Sequence, residues 1–94
     1  MIRCVIEMFG LPYGLTELRK VEVELEDGAN LGDVIGALRG QIPALEGNVI
    51  RRGENQLTEY YAFNINGYFY SDASEGLPLR GDSRMALLPI AVGG

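Results

Sequence analysis

The sequence has no histidine and no tryptophan, and a single cysteine, Cys4. Without histidine the usual general base near neutral pH is missing. One thiol cannot close an internal disulfide. One thiolate without an imidazole also cannot supply a four-ligand zinc site, and a four-cysteine iron–sulfur cluster is excluded within one chain. Basic residues are scarce, eight against thirteen acidic ones, for a formal charge of −5. An acidic surface repels phosphate, which excludes nucleic acid as a partner. No apolar run approaches the roughly 18–20 residues of a membrane helix. The opening Met1-Ile2-Arg3-Cys4 has a strand-like pattern rather than a signal-peptide layout. A cytoplasmic protein away from membranes is expected, with no bound metal or cofactor. A carboxylate mechanism stays formally open, but no acidic pair stands out by its placement.

What is present fits one small globular domain: 94 residues, of which 47% are hydrophobic and 22% charged. In Ile2 to Phe9, residues Ile2, Cys4, Ile6 and Met8 share one face, and Arg3, Val5, Glu7 and Phe9 the other. That is the period of a strand. Gly10 to Gly14 reads as a loop. Val21, Val23 and Leu25 then alternate with Glu22, Glu24 and Glu26, which predicts a half-buried strand with a solvated acidic face. Asn30 suits a helix N-cap, and Asp33 falls near the positive end of the helix dipole. Leu31, Val34, Ile35 and Leu38 follow at the spacing of one apolar helical stripe. Gly40 and Pro43 should stop this helix, which covers about 31–41.

Pro43 to Glu59 is poorly patterned, and Arg51-Arg52-Gly53-Glu54-Asn55 reads as a solvated loop. Tyr60 to Ile65 and Tyr68 to Tyr70 read as strands joined at Asn66-Gly67, the dipeptide favoured in a type I′ hairpin turn. A turn-rich stretch leads to a last strand, Ser83 to Leu88, where Pro89 is expected to break the ladder. The order is β-β-α-β-β-β, an α+β fold with one main helix packed across one mixed sheet of about five strands. The domain is expected to span 1–88, with 89–94 as a flexible tail.

That tail ends Ile90-Ala91-Val92-Gly93-Gly94. Glycine lacks a Cβ, so a Gly-Gly end can lie in a narrow channel and present its carboxylate without steric cover. A carboxylate is a poor electrophile. It becomes reactive once a partner converts it to an acyl-adenylate, and a sulfur donor displacing AMP then leaves a thiocarboxylate. The plain alternative is a frayed terminus, where small residues are common.

Several segments together resemble the ubiquitin-like sulfur carriers, the family of the small subunit of molybdopterin synthase and the thiamine sulfur carrier. They are the opening strand Met1 to Val5, the helix from Asn30 to Leu38, the segment Phe63-Asn64-Ile65-Asn66-Gly67, and the closing stretch. That stretch runs Leu79-Arg80-Gly81-Asp82, a leucine–two residues–aspartate turn, and then Met85 to Gly94. The resemblance covers nearly the whole chain, although Glu46 to Leu57 is longer than compact members need. Two positions depart from the pattern. Leu88 stands where an aromatic residue is common, and Pro89-Ile90 where Pro-Pro is frequent.

The resemblance implies a β-grasp fold and a non-enzymatic role as a protein cosubstrate. Gly94 would carry the adenylated and then thiocarboxylated terminus, with Gly93 threading the partner's active site. Pro89, Ile90, Ala91 and Val92 would dock against that partner. The partners would be an ATP-dependent adenylyltransferase of the ubiquitin-activating kind and a sulfur-acceptor synthase subunit. ATP would be used by the partner, and the molybdopterin route fits the ending better than the thiamine route. A β-grasp interaction module or a ubiquitin-like modifier is the alternative. Phe9, Tyr68, Phe69, Tyr70 and Leu88 are candidates for an apolar interface, against the plainer reading as core. Cys4 reads as a small buried hydrophobe, and Arg51 and Arg52 as solvated charges.

Overall fold

The structure, a computed structural model, describes residues 1–10, 19–72 and 82–90. Five strands and one main helix follow in chain order: β1 (Ile2–Met8), β2 (Lys20–Leu25), α1 (Leu31–Gln41), β3 (Tyr61–Ile65), β4 (Tyr68–Tyr70) and β5 (Asp82–Pro89). A 3₁₀ turn, Pro43–Leu45, follows the helix. The strands form one sheet in the order β2-β1-β5-β3-β4. β1 and β5 run parallel, and every other neighbouring pair is antiparallel. This is the α+β, one-helix, mixed-sheet architecture expected.

Alternation decides which face of each strand is buried. Ile2, Cys4, Ile6 and Met8 of β1 lie in the core with Val21, Val23 and Leu25 of β2, and Met85 and Leu87 of β5. The helix closes the same core with Leu31, Val34, Ile35 and Leu38. At its start, Asn30 Oδ1 accepts from the Asp33 N–H at 3.0 Å, and Asp33 Oδ2 accepts from the Asn30 N–H at 2.9 Å. This reciprocal capping box satisfies a donor at the helix start that would otherwise be orphaned. The β3–β4 hairpin turns at Asn66 and Gly67, both at positive φ (54° and 89°), as a type I′ turn requires.

The segment after the helix, poorly patterned in sequence, packs partly into the core. Leu45, Val49, Ile50 and Leu57 are all at most 1% exposed and belong to the core. The stretch Arg51 to Asn55 is exposed, as predicted. Backbone bonds from Arg51 N–H to the Gln56 carbonyl and from Thr58 N–H to the Val49 carbonyl, both 2.8 Å, close the segment on itself. Arg39, near the end of α1, clips it down. Its guanidinium donates to Asn55 Oδ1 at 2.6 Å and to the Glu54 carbonyl, and Nε lies 3.0 Å from Glu46 Oε2. That last contact is ionic, because Nε lacks hydrogen-bond geometry to any acceptor.

Pro89 corrects an expectation. It does not break the ladder but forms its last rung, opposite Tyr61. The reason is which side each N–H faces. The Leu87 carbonyl accepts from Phe9 on the β1 side, at 3.0 Å, and the Ile90 N–H donates to the Tyr60 carbonyl on the β3 side, at 2.8 Å. Alternation therefore turns the Pro89 nitrogen toward β1, which has ended at Met8. No ladder donor is lost there, so proline is tolerated.

Among the described residues no helix is long and apolar enough to cross a membrane.

The clipped segment should behave as core. Leu57→Ala should cost about 2–5 kcal/mol by denaturant unfolding, as a buried leucine truncation does. Arg52→Ala, at the exposed tip, should shift stability by less than about 0.5 kcal/mol.

Candidate functional site

The helix covers one face of the sheet, and the other face is open. Residues out of phase with the core line it: Arg3, Val5, Glu7 and Phe9 from β1 and its end, Arg84, Ala86 and Leu88 from β5, Ala62 and Asn64 from β3, and Phe69 from β4. Strand register sets their neighbours. Glu7, Ala86, Asn64 and Phe69 form one row across four strands, and Leu88 sits beside Ala62 in the next. Phe9 follows Met8, which pairs with Leu87, so it joins the Leu88 end of the face.

The open face is divided in two. Toward β2 it is charged. Arg3 pairs with Glu22 at 3.0 Å, and Arg84 with Glu7 at 3.3 Å. These pairs are solvated on both sides, so each contributes little to stability. Toward the ends of β1 and β5 it is apolar, with Phe9 52% exposed and Leu88 half-buried, and Phe69, 60% exposed, lies on the same face at the β4 edge, in the row of Glu7. Folding leaves two phenylalanines of this face in water, and exposed aromatic residues mark contact surfaces. The structure thus brings Phe9, Leu88 and Phe69 onto one face. Tyr68 is also exposed, but it lies in phase with the core-facing Ile65 and so belongs to the helix side of the edge strand. Tyr70 packs against the core.

β1 and β5 are parallel, so the apolar half lies at the end where the chain leaves the sheet. Pro89 and Ile90 stand at that exit. Ala91, Val92, Gly93 and Gly94 lie outside the described residues. Tyr60, 55% exposed, holds the exit through its carbonyl. Sequence pattern could not single it out, because the role belongs to its backbone.

Cys4 has no exposed surface, and burial pushes its thiol up from 9.0 to about 11. Glu22, Glu24 and Glu26 are exposed, as are Arg51 and Arg52. Among the described residues no group of three or more His, Cys, Asp or Glu side chains could hold a metal ion.

Against this geometry the likeness to solved structures can be read. A crystal structure of SAMP1 from Haloferax volcanii matches with a TM-score of 0.76 and 26% identity, over 98% of this chain and 99% of that one. A second crystal structure, described as the small archaeal modifier protein 1 of H. volcanii, matches with a TM-score of 0.78 and 24% identity, over 97% and 100%. The fold is a ubiquitin-like β-grasp. A putative molybdopterin converting factor, subunit 1, from Pyrococcus furiosus shares that fold with a TM-score of 0.72 at 18% identity, over 97% and 100%. No family model matches the chain, and no curated protein matches it. The β-grasp of this chain is thus related to that of a small archaeal protein named as a modifier, and it shares its fold with one named as a molybdopterin converting factor subunit.

Two measurements check the site's geometry. Cys4 should resist a thiol reagent at pH 8 in the folded protein and react when denaturant is added. Its raised pKa stabilises the fold fully below pH 9, and that contribution should fade as pH rises from 9 toward 11, because the unfolded chain then loses the proton first. Separately, Phe9→Ser and Phe69→Ser should change unfolding free energy by less than about 1 kcal/mol, because neither ring is buried by the fold.

Proposed function

We propose that this chain is a sulfur carrier protein. Its Gly94 carboxylate is adenylated by an ATP-dependent partner enzyme, converted to a thiocarboxylate, and then spent as a sulfur donor in cofactor biosynthesis, with a molybdopterin-type acceptor favoured. The observation that carries this reading is the Val92-Gly93-Gly94 ending, whose last residue falls four positions past Ile90, the last sheet-bonded residue among the described ones of a β-grasp domain. The P. furiosus structure, whose name includes molybdopterin, supports the choice of acceptor through fold alone.

The chemistry divides between the two proteins. A carboxylate oxygen of Gly94 attacks the α-phosphorus of ATP, and pyrophosphate leaves. A nucleophilic sulfur donor then attacks the acyl carbon, and AMP leaves. Phosphate binding and general acid–base work fall to the partner. This chain supplies the acyl group, a slender Gly93-Gly94 end, and a handle. Phe9, Leu88 and Phe69 form that handle. They are apolar and share the open face; Phe9 and Leu88 lie at the same end of the sheet as the exit at Pro89 and Ile90, and Phe69 lies at the β4 edge. Residues 89–94 are the reach between handle and reacting atom.

The names of the H. volcanii structures favour a second use of the same terminus, isopeptide attachment to another protein's lysine. Both uses begin with the acyl-adenylate and differ in the nucleophile that follows.

The test is the intact mass of the protein after incubation with a host adenylyltransferase, ATP and a sulfur source. A mass gain matching sulfur in place of one oxygen, absent when Gly94 is deleted, is the expected result. A chain joined to a second protein through a lysine would favour the modifier. With an enzyme active on its own carrier, no change in either would leave the interaction-module reading.

A further inference from the structure

β2 forms one edge of the sheet, with β1 on its inner side. In an antiparallel pair, alternate residues turn both backbone groups toward the partner strand, and the residues between turn theirs away. Two bonds fix the phase here. The Arg19 carbonyl accepts from the Met8 N–H at 2.8 Å, so the odd-numbered residues from Arg19 to Leu25 face β1. The Glu22 carbonyl accepts from Gln41 Nε2 at 2.8 Å on the other side, so Lys20, Glu22 and Glu24 present N–H and C=O groups to the free edge. Such an edge is a template for one more strand. The Gln41 carboxamide already stands on the Glu22 carbonyl where the N–H of an added strand would stand.

The side chains decide what kind of strand fits. Glu22, Glu24 and Glu26 are exposed along β2 and at its end. Arg3 is paired with Glu22, and Lys20 lies at the other end of the strand. Neither Glu24 nor Glu26 has an ion-pair partner among the described residues. Beside the end of β2, a cleft of about 430 Å³ is lined by Glu24, Glu26, Asp27 and Asp33 together with Leu25 and Ala29. Asp27 meets the N-terminal ammonium at 3.4 Å, and Asp33 is held in the capping box. Among the described residues no group of three acids could hold a metal ion. The cleft instead suits a long cationic side chain, whose stem lies on apolar surface while its head meets carboxylates.

We propose that the free edge of β2 and the cleft at its end dock an extended peptide segment of a partner protein, with Lys or Arg at alternate positions. Its backbone pairs with Glu22 and Glu24, and its basic side chains lie beside Glu24 and Glu26. At Glu22 it takes the place of the Gln41 amide. A second copy of this chain is the poorer occupant, because acids would face acids wherever the two 22–26 segments overlap. The surface lies at the Ile2 end of β1, whereas Phe9 and Leu88 lie at the Met8 end. It is therefore separate from the apolar half of the open face, and it does not depend on the sulfur-carrier reading.

The probe is a synthetic peptide in which valine alternates with lysine or arginine, capped at both ends. Its control carries glutamate in place of every basic residue. Each is titrated at low salt into the full chain labelled with ¹⁵N. With the basic peptide, the Glu22 and Glu24 amides should shift and exchange more slowly, while those of Val21 and Val23, which face β1, should change little. Replacing both acids (Glu24→Gln with Glu26→Gln) should weaken binding about fivefold or more. Gln41→Ala, which uncovers the Glu22 carbonyl, should tighten it about threefold. All three positions are exposed, and unchanged Ile6 and Phe63 amides report that the variants are folded. Shifts spread equally over odd and even residues, equal binding of the glutamate peptide, or unchanged affinity in the double variant overturns the proposal. Unchanged affinity in Gln41→Ala overturns the pairing at Glu22. Concentration-dependent shifts of the Glu22 and Glu24 amides without peptide assign the edge to a second copy, which also overturns it.

Discussion

β5 comes last in the chain, but it lies in the middle of the sheet, parallel to β1 on one side and antiparallel to β3 on the other. Most of the structure depends on this placement. Without β5 the sheet is two separate pairs, β1–β2 and β3–β4, neither of which has enough strands to be stable alone. With it, Met85 and Leu87 enter the core beside the residues of β1 and β3. The pairing joins residues about eighty positions apart (Arg3 with Asp82), so it must be reached against a large loop-closure cost and cannot form from local preference alone. The same placement decides how the chain leaves the sheet. It leaves from between two strands, at a fixed end, rather than from a frayed edge.

The helix depends on the sheet in turn. At eleven residues, with Gly32, Gly36 and Gly40 inside it, α1 is too short and too poor in helix formers to persist alone. Its capping box closes its first turn, and its apolar stripe packs it into the core beside β2. Its far end is secured by Arg39, whose guanidinium gathers Glu46, Glu54 and Asn55. That cluster folds the 46–57 segment over the core and lets Val49, Ile50 and Leu57 cover what an eleven-residue helix leaves open. The extra length is thus spent on the core.

These dependencies explain what could be read from the residues in advance. β1, β2, α1 and the Asn66-Gly67 turn were legible because their signals are local: a period of two, a 3.6-residue stripe with its cap, and a dipeptide suited to positive φ. Cys4 was legible because its strand neighbours shared its apolar face. Leu45, Val49, Ile50 and Leu57 were not, since their spacing follows neither period and their burial depends on Arg39, several residues earlier in the chain. Pro89 misled for a related reason. Proline's lost donor matters only if a strand faces it, and whether one does depends on where β1 ends. Assigning Phe9, Leu88 and Phe69 to one open face likewise needed the register of four strands. Gly93 and Gly94 lie outside the described residues, so the case for them rests on sequence and on the fold that carries them.

The division of the open face has a physical consequence for any partner. The Arg3–Glu22 and Arg84–Glu7 pairs are already neutralised within the chain, so a partner gains little by contacting them and must desolvate four charges to do so. Burying Phe9 and Leu88 carries no such penalty and removes apolar area from water. Binding should therefore centre on the apolar half and keep the charged half at its rim, where charges orient an encounter more than they strengthen it. That half lies at the exit. A partner seated on it stands beside Pro89 by geometry alone, and no conformational change in the domain is required to bring the two together. The apolar face and the chain's exit from the sheet at Pro89 and Ile90 are thus set beside each other by the parallel pairing of the first strand with the last.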